Sequence, residues 1–201
     1  SKKPKRKNTL IRGLLLIALA IIVTTLYLNY KESSPSEIIG IRELPEDFKS
    51  HGIDISRYQG EVDWDIFFEK ADPTISFIYC KATEGETHID ERFESNRDLL
   101  REHNKAFGAY HFFIPSIDAE SQAKHFLNNY TPRANELPPV LDVETEKVTD
   151  AELIKGMKVW LEHVERETGK RPVIYTSYHF YSSKFQNEFK NYQFWIANYS
   201  G

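Results

Sequence analysis

The sequence predicts an α/β fold in which repeated βα units curl a parallel sheet into a (β/α) barrel, with six strands visible. From His51 onward, short apolar runs alternate with amphipathic segments, the pattern of parallel strands joined by crossover helices. Acids, a lysine and aromatic residues recur where successive apolar runs end, the end of a barrel at which functional groups gather. No strand candidate is followed by G-x-G-x-x-G or a Walker-type loop, so a nucleotide-binding open sheet loses its main support.

The strands are predicted at 52–56, 74–83, 106–113, 139–144, 172–177 and 193–198. Helices are predicted at 64–71, 90–104, 117–130, 150–167 and 180–189. The fourth helix is the best marked. Thr149 and Glu152 form a capping box, Leu153, Met157, Trp160, Leu161 and Val164 make an apolar stripe, and Gly169 with Pro172 stops it. Met157 and Trp160 at that spacing read as core residues. Cys80, alone in the chain, excludes an internal disulfide and sits in an apolar strand, where a buried structural thiol is expected.

The first 49 residues differ from the rest. Residues 1–12 form a basic tail carrying Lys2, Lys3, Lys5, Arg6, Lys7 and Arg12 with no acid. Residues 13–30 are an apolar run long enough, at about 1.5 Å per residue, to cross most of a hydrocarbon core about 30 Å thick. Cations on its amino side predict a single-pass anchor in the cytoplasmic membrane, with everything after Tyr30 outside. A cleaved signal peptide competes for the same stretch, but the residues after Leu19 offer no convincing small-x-small site. Residues 31–49, with Ser33, Ser34, Pro35, Ser36 and Pro45, read as a tether to a domain over 50–201. Without the six basic residues, the formal charge of −4 becomes −10, which argues against a nucleic-acid partner.

The stretch Leu137-Pro138-Pro139-Val140-Leu141-Asp142-Val143-Glu144 ends in two acids one residue apart. Strand alternation sends Val140, Asp142 and Glu144 to one face and Leu141 and Val143 to the other. Like charges about 6–7 Å apart on one face disfavour each other's ionisation, a cost that points to use. Paired carboxylates with separated pKa values are what acid-catalysed cleavage of a glycosidic bond requires. With Asp142 ionised, the Glu144 pKa is expected to rise; the two titrate as a pair.

The other strand ends agree. The first run, Gly52-Ile53-Asp54-Ile55-Ser56, alternates cleanly and puts Asp54 opposite its isoleucines, where it serves the barrel mouth or caps a loop. Acids among tyrosine and tryptophan describe a saccharide site, because sugar rings offer apolar faces to aromatic planes and hydroxyls to charged acceptors. The seven histidines show no H-E-x-x-H or comparable spacing, so neither metal nor cofactor is called for, and His111 reads as a packed strand residue. G-x-S-x-G is absent, which removes a serine hydrolase.

Taken in order, Gly52-Ile53-Asp54-Ile55-Ser56 with Gln59-Gly60 and Trp64, Lys81-Ala82-Thr83-Glu84-Gly85, Gly108-Ala109-Tyr110-His111-Phe112, Asp142-Val143-Glu144, Tyr175 and Trp195-Ile196-Ala197 resemble glycoside hydrolase family 25. These are lysozymes (muramidases) that cut peptidoglycan between N-acetylmuramic acid and N-acetylglucosamine. The resemblance implies a modified TIM-like barrel with Glu144 as general acid, Asp142 supporting the substrate's 2-acetamido group and Asp54 completing the acidic cluster. Lys81, Glu84, Tyr110, Tyr175 and Trp195 match motif or groove positions and are the implied substrate-binding residues. Family members continue past the W-I-A strand into two more strands carrying a further aspartate, so residues 50–201 are expected to be incomplete at the carboxyl end. The function that follows is a membrane-tethered peptidoglycan hydrolase. The alternatives are a non-hydrolytic glycan-binding module, or a glycosidase acting on a polymer such as chitin, for which D-x-x-D-x-D-x-E is missing.

Overall fold

The computed structural model describes residues 49–71 and 74–198, together with Thr24. The expected basic tail, anchor and tether thus lie outside the described residues, apart from Thr24 and Lys49. Among the described residues no helix is long and apolar enough to cross a membrane.

Six parallel strands build one sheet: β1 (His51–Ile55), β2 (Ile75–Glu84), β4 (Phe107–Phe112), β5 (Val140–Val143), β6 (Val173–Ser177) and β7 (Gln193–Ala197), in the order β1-β2-β4-β5-β6-β7. A two-residue strand, β3 (His88–Ile89), folds back antiparallel on the end of β2. All six predicted strands are present, and each strand's partners follow chain order, as right-handed βα units dictate.

Alternation sorts the side chains into two layers. Ile78, Cys80 and Ala82 of β2, Phe107, Ala109 and His111 of β4, and Leu141 and Val143 of β5 are all buried in the outer layer, under the helices. Those helices are α2 (Phe93–Glu102), α3 (Ala119–Asn129) and α4 (Asp150–Thr168). The α4 stripe of Leu153, Met157, Trp160, Leu161 and Val164 is fully buried, and each such side chain contributes about 1.5–3 kcal/mol. Its capping box is formed, with the Glu152 amide donating to Thr149 Oγ1 (3.3 Å) and the Thr149 amide donating to Glu152 Oε2 (3.0 Å). Gly169 closes the helix at φ 68°, a left-handed conformation that suits glycine.

The opposite layer of the sheet curls on itself. Tyr79 of β2 and Trp195 of β7 are separated by three strands, yet their rings meet at 5.5 Å. The observed architecture is therefore a curled six-stranded parallel half-barrel.

Two helical segments are more irregular than predicted. At 64–71, α1 (Trp64–Ile66), capped by Asp63 Oδ1 accepting from the Ile66 amide (3.0 Å), opens into a wider turn at Phe67–Ala71. The helix predicted at 180–189 begins earlier and ends earlier: α5 (Tyr178–Phe180) starts directly off β6 and continues as a wider helical turn at Tyr181–Phe185. Ser177 caps that start through the Phe180 amide (3.2 Å), while the Ser182 and Ser183 hydroxyls donate back to the His179 carbonyl and loosen the regular ladder.

Candidate active site

The inner layer opens at the carboxyl ends of the strands into a pocket lined by Asp54, Tyr110, Val140, Asp142, Glu144, Tyr175 and Trp195. Its cavity volume is about 70 Å³. Strand register explains the convergence, because Phe112, Asp142, Tyr175 and Trp195 lie in one row across β4, β5, β6 and β7. Glu144 stands just past the end of β5, exposed at the mouth, whereas Asp142 is only 6% exposed. Five of the expected site residues in the pocket come from five different strand ends: Asp54, Tyr110, Asp142, Tyr175 and Trp195.

The electrostatics separate the two neighbouring acids. Burial first, and then the Glu144 carboxylate beside it, push the Asp142 carboxyl up to about 8; nearby Lys81 opposes the rise. The Asp142 Oδ1 atom is buried without a hydrogen-bond partner, which adds to the penalty on its charged form. The upward shift therefore falls on Asp142. Asp54 keeps much of its surface open, yet the protein crowding one side of it raises its carboxyl above the usual range.

Around the acids stand donors and rings. Burial, with the Asp54 and Asp142 charges beside it, raises the Tyr110 phenol, so its hydroxyl keeps its proton. Tyr175 meets Trp195 edge-to-face at 5.1 Å, forming an aromatic wall. Tyr79 supports that wall from below: it touches Trp195, donates to the Pro138 carbonyl (3.1 Å), and lies against Gly108, where a side chain would strike its ring.

Lys81 and Glu84 do not line the pocket. They form a 2.6 Å ion pair beside it, with the Lys81 ammonium 4.9 Å from the centre of the Phe112 ring and close enough to Asp142 to favour its charged form. His111 faces the helices. Thr83 Oγ1 donates to its Nδ1 (2.8 Å), its Nε2 donates to Gln122 Oε1 (3.2 Å), and its ring stacks on Trp160 at 5.6 Å. Burial lowers its pKa to about 3, so it stays neutral, the packed strand histidine expected. Among the described residues no group of three or more His, Cys, Asp and Glu side chains is placed to hold a metal ion.

Sequence reasoning missed two supporting residues, Tyr79 and Asp90. Tyr79 shares the inner face of β2 with Lys81, so carrying the alternation further would have found it. Asp90, buried at 2% exposure, accepts from the Arg57 amide (3.0 Å) and the Arg92 amide (3.0 Å), tying the turn after β1 to the turn after β3. Its sequence signal was only that of an acid in a turn.

Acids and aromatic rings gathered at the carboxyl rim of a curled β/α sheet are the architecture of the barrel glycosidases as a class. The chain belongs to a particular family within it: the model of glycosyl hydrolases family 25 matches residues 53–201. A family 25 glycosyl hydrolase from Bacillus anthracis superposes with a TM-score of 0.73 at 27% identity, covering 79% of this chain and 75% of that one. The bacterial lysozyme of Streptomyces coelicolor superposes at 0.66 with 26% identity, over 75% and 76% of the two chains. In sequence, the chain is 39% identical over 176 residues to YegX of Escherichia coli strain K12, itself described as uncharacterized. That match covers 86% of this chain but 64% of YegX. It is 28% identical over 149 residues to the autolytic lysozyme of Clostridium acetobutylicum, covering 74% of this chain and 44% of that protein.

Proposed function

We propose that the protein is an N-acetylmuramidase that hydrolyses the β-1,4 bond between N-acetylmuramic acid and N-acetylglucosamine in peptidoglycan. The observation that carries this reading is the meeting of Asp54, Asp142 and Glu144 in one pocket walled by Tyr110, Tyr175 and Trp195. Family membership and the likeness to a lysozyme fold support it. Asp142, with its carboxyl pushed up to about 8, keeps a proton in the carboxylate pair at neutral pH. Glu144, exposed at the mouth, takes that proton from the neighbouring Asp142 and delivers it to the glycosidic oxygen as the bond to the leaving sugar breaks. The handover leaves Asp142 ionised, able to accept the N–H of the 2-acetamido group. Trp195 and Tyr175 pack on apolar sugar faces, Tyr110 donates to a sugar oxygen, and Asp54 adds negative charge opposite the developing cation. Lys81 and Glu84 act from behind the pocket, on Asp142.

We place the active domain outside the cytoplasmic membrane, held by residues 13–30 as a single-pass anchor. The test is incubation of the full chain with purified peptidoglycan and analysis of the soluble products. Muropeptides with new reducing ends at N-acetylmuramic acid support the proposal. Binding to the polymer without new reducing ends overturns it in favour of a glycan-binding module.

A further inference from the structure

We propose that Lys184 is a positioning residue, clamping the segment that leaves β5 and thereby fixing where Glu144 presents its carboxyl. The inference rests on the reading of Glu144 as the acid. Strand β5 ends at Val143, so Glu144 lies outside the ladder, and order resumes only at the capping box of Thr149 and Glu152. Between these fixed ends, Glu146 is gripped by the Lys184 ammonium (2.6 Å), and the same ammonium is bonded to Asp150, the first residue of α4. Lys184 comes from the wide turn after β6, so the clamp joins the exits of two neighbouring strands. Its side chain is 12% exposed, with the ammonium 5.5 Å from the centre of the Phe180 ring, an environment that restricts where it can go. Ion pairs with exposed partners contribute about 1 kcal/mol or less to stability, so global folding gains little here. Geometry gains more, because a misplacement of about 1 Å in a reacting group costs on the order of a hundredfold in rate.

A second lysine provides the comparison. Lys158 pairs with Glu188 at 2.8 Å, and neither residue lines the pocket. The experiment uses the full chain as Lys184→Met, Lys184→Arg and Lys158→Met. Peptidoglycan turnover and amide hydrogen exchange across 144–149 are measured in each. The expected result for Lys184→Met is a fall of about tenfold in kcat at nearly constant KM, with exchange across 144–149 faster by a similar factor. Lys184→Arg restores both, and Lys158→Met changes neither. Unchanged exchange in Lys184→Met overturns the clamp, and faster exchange with wild-type kcat overturns its role in positioning. A wild-type chain that fails to release reducing ends counts against the muramidase reading, while the exchange comparison still decides the clamp.

Discussion

Asp142 and Glu144 stand one residue apart at the end of one strand and line the same pocket, one carboxyl sealed inside the sheet and the other facing solvent. Alternation alone places them on the same face. The end of β5 at Val143 then lets the second acid swing into the mouth while the first stays in the row with Tyr175 and Trp195. The asymmetry supports the proposed division of labour, with one member retaining a proton and the other at the open mouth.

Glu144→Gln removes the only carboxyl of the pair that reaches the open mouth. The expected loss in kcat is about 10²–10⁴-fold, the usual worth of a general acid, with the melting temperature nearly unchanged because the side chain is exposed and isosteric. Reducing-end release against a melting curve on the same sample checks both halves.

Asp142 gives stability a pH dependence of definite sign. Its folded pKa, about 8, lies above the ordinary 3.8, so between these values the native state holds a proton that the unfolded chain has lost. Stability from this group is complete below about pH 4 and is lost as pH rises through 8. Asp142→Asn keeps the shape and removes the titration. The melting temperature of the wild type, relative to Asp142→Asn, is expected to fall from pH 5 to pH 8.5.

His111 works in the opposite direction. Its folded pKa of about 3 lies below the ordinary 6.5, so the unfolded chain gains a proton that the native state refuses, and stability is lost as pH falls from 6.5 towards 3. Between about pH 4 and 6.5 the two slopes oppose each other, and only the Asp142 slope remains above that window. His111→Ala leaves Thr83 and Gln122 without their shared partner and empties the face of Trp160. A loss of about 2–4 kcal/mol is expected, read as a lower urea midpoint at constant m.

Much of this organisation is legible in the sequence because it depends on period two. The runs around Asp54, Tyr110, Asp142, Tyr175 and Trp195 each alternate, so one decision about which face looks inward places all five. The α4 boundaries were legible for a different reason: Thr149, Glu152 and Gly169 carry their signals locally. What stayed hidden depends on distance through space. Lys81 and Glu84 carry a matching motif, yet their ion pair turns them to each other beside the pocket. The burial that separates Asp142 from Glu144 is a property of where β5 ends, which no spacing encodes. The helix predicted at 180–189 is irregular and shifted because Ser182 and Ser183 return their hydroxyls to the His179 carbonyl, a competition that an apolar stripe does not reveal.

Trp195 stands at the centre of the aromatic wall, touching both Tyr175 (5.1 Å) and Tyr79 (5.5 Å). Trp195→Ala removes the broadest apolar face offered to a sugar ring while leaving the three acids in place. Weaker substrate binding is expected, with KM raised by about tenfold or more, matching about 1.5 kcal/mol of lost ring contact. Initial rates over a range of soluble glycan concentrations separate KM from kcat; an unchanged KM would exclude the wall from substrate binding.

Gly108 tests whether the pocket depends on packing beneath it. A methyl group there would sit 2.4 Å from Tyr79 Cε1, closer than real contacts allow, and 3.1 Å from Leu137 Cβ, a tight contact. Tyr79 has nowhere easy to go, since its hydroxyl is bonded to the Pro138 carbonyl and its ring rests against Trp195. Gly108→Ala therefore forces the Tyr79 ring towards the aromatic wall or the backbone of β4 out of register. Overpacking of this kind costs about 1–3 kcal/mol, which for a chain of this size lowers the melting temperature by about 2–4 °C per kcal/mol. A rise in KM is expected in the same variant, because the displaced ring pushes on Trp195. Gly108→Ala combined with Tyr79→Ala vacates the space the methyl needs, so the steric part of the melting-temperature loss should be recovered. Failure of the pair to recover it would locate the strain in the backbone of β4 instead of in the tyrosine.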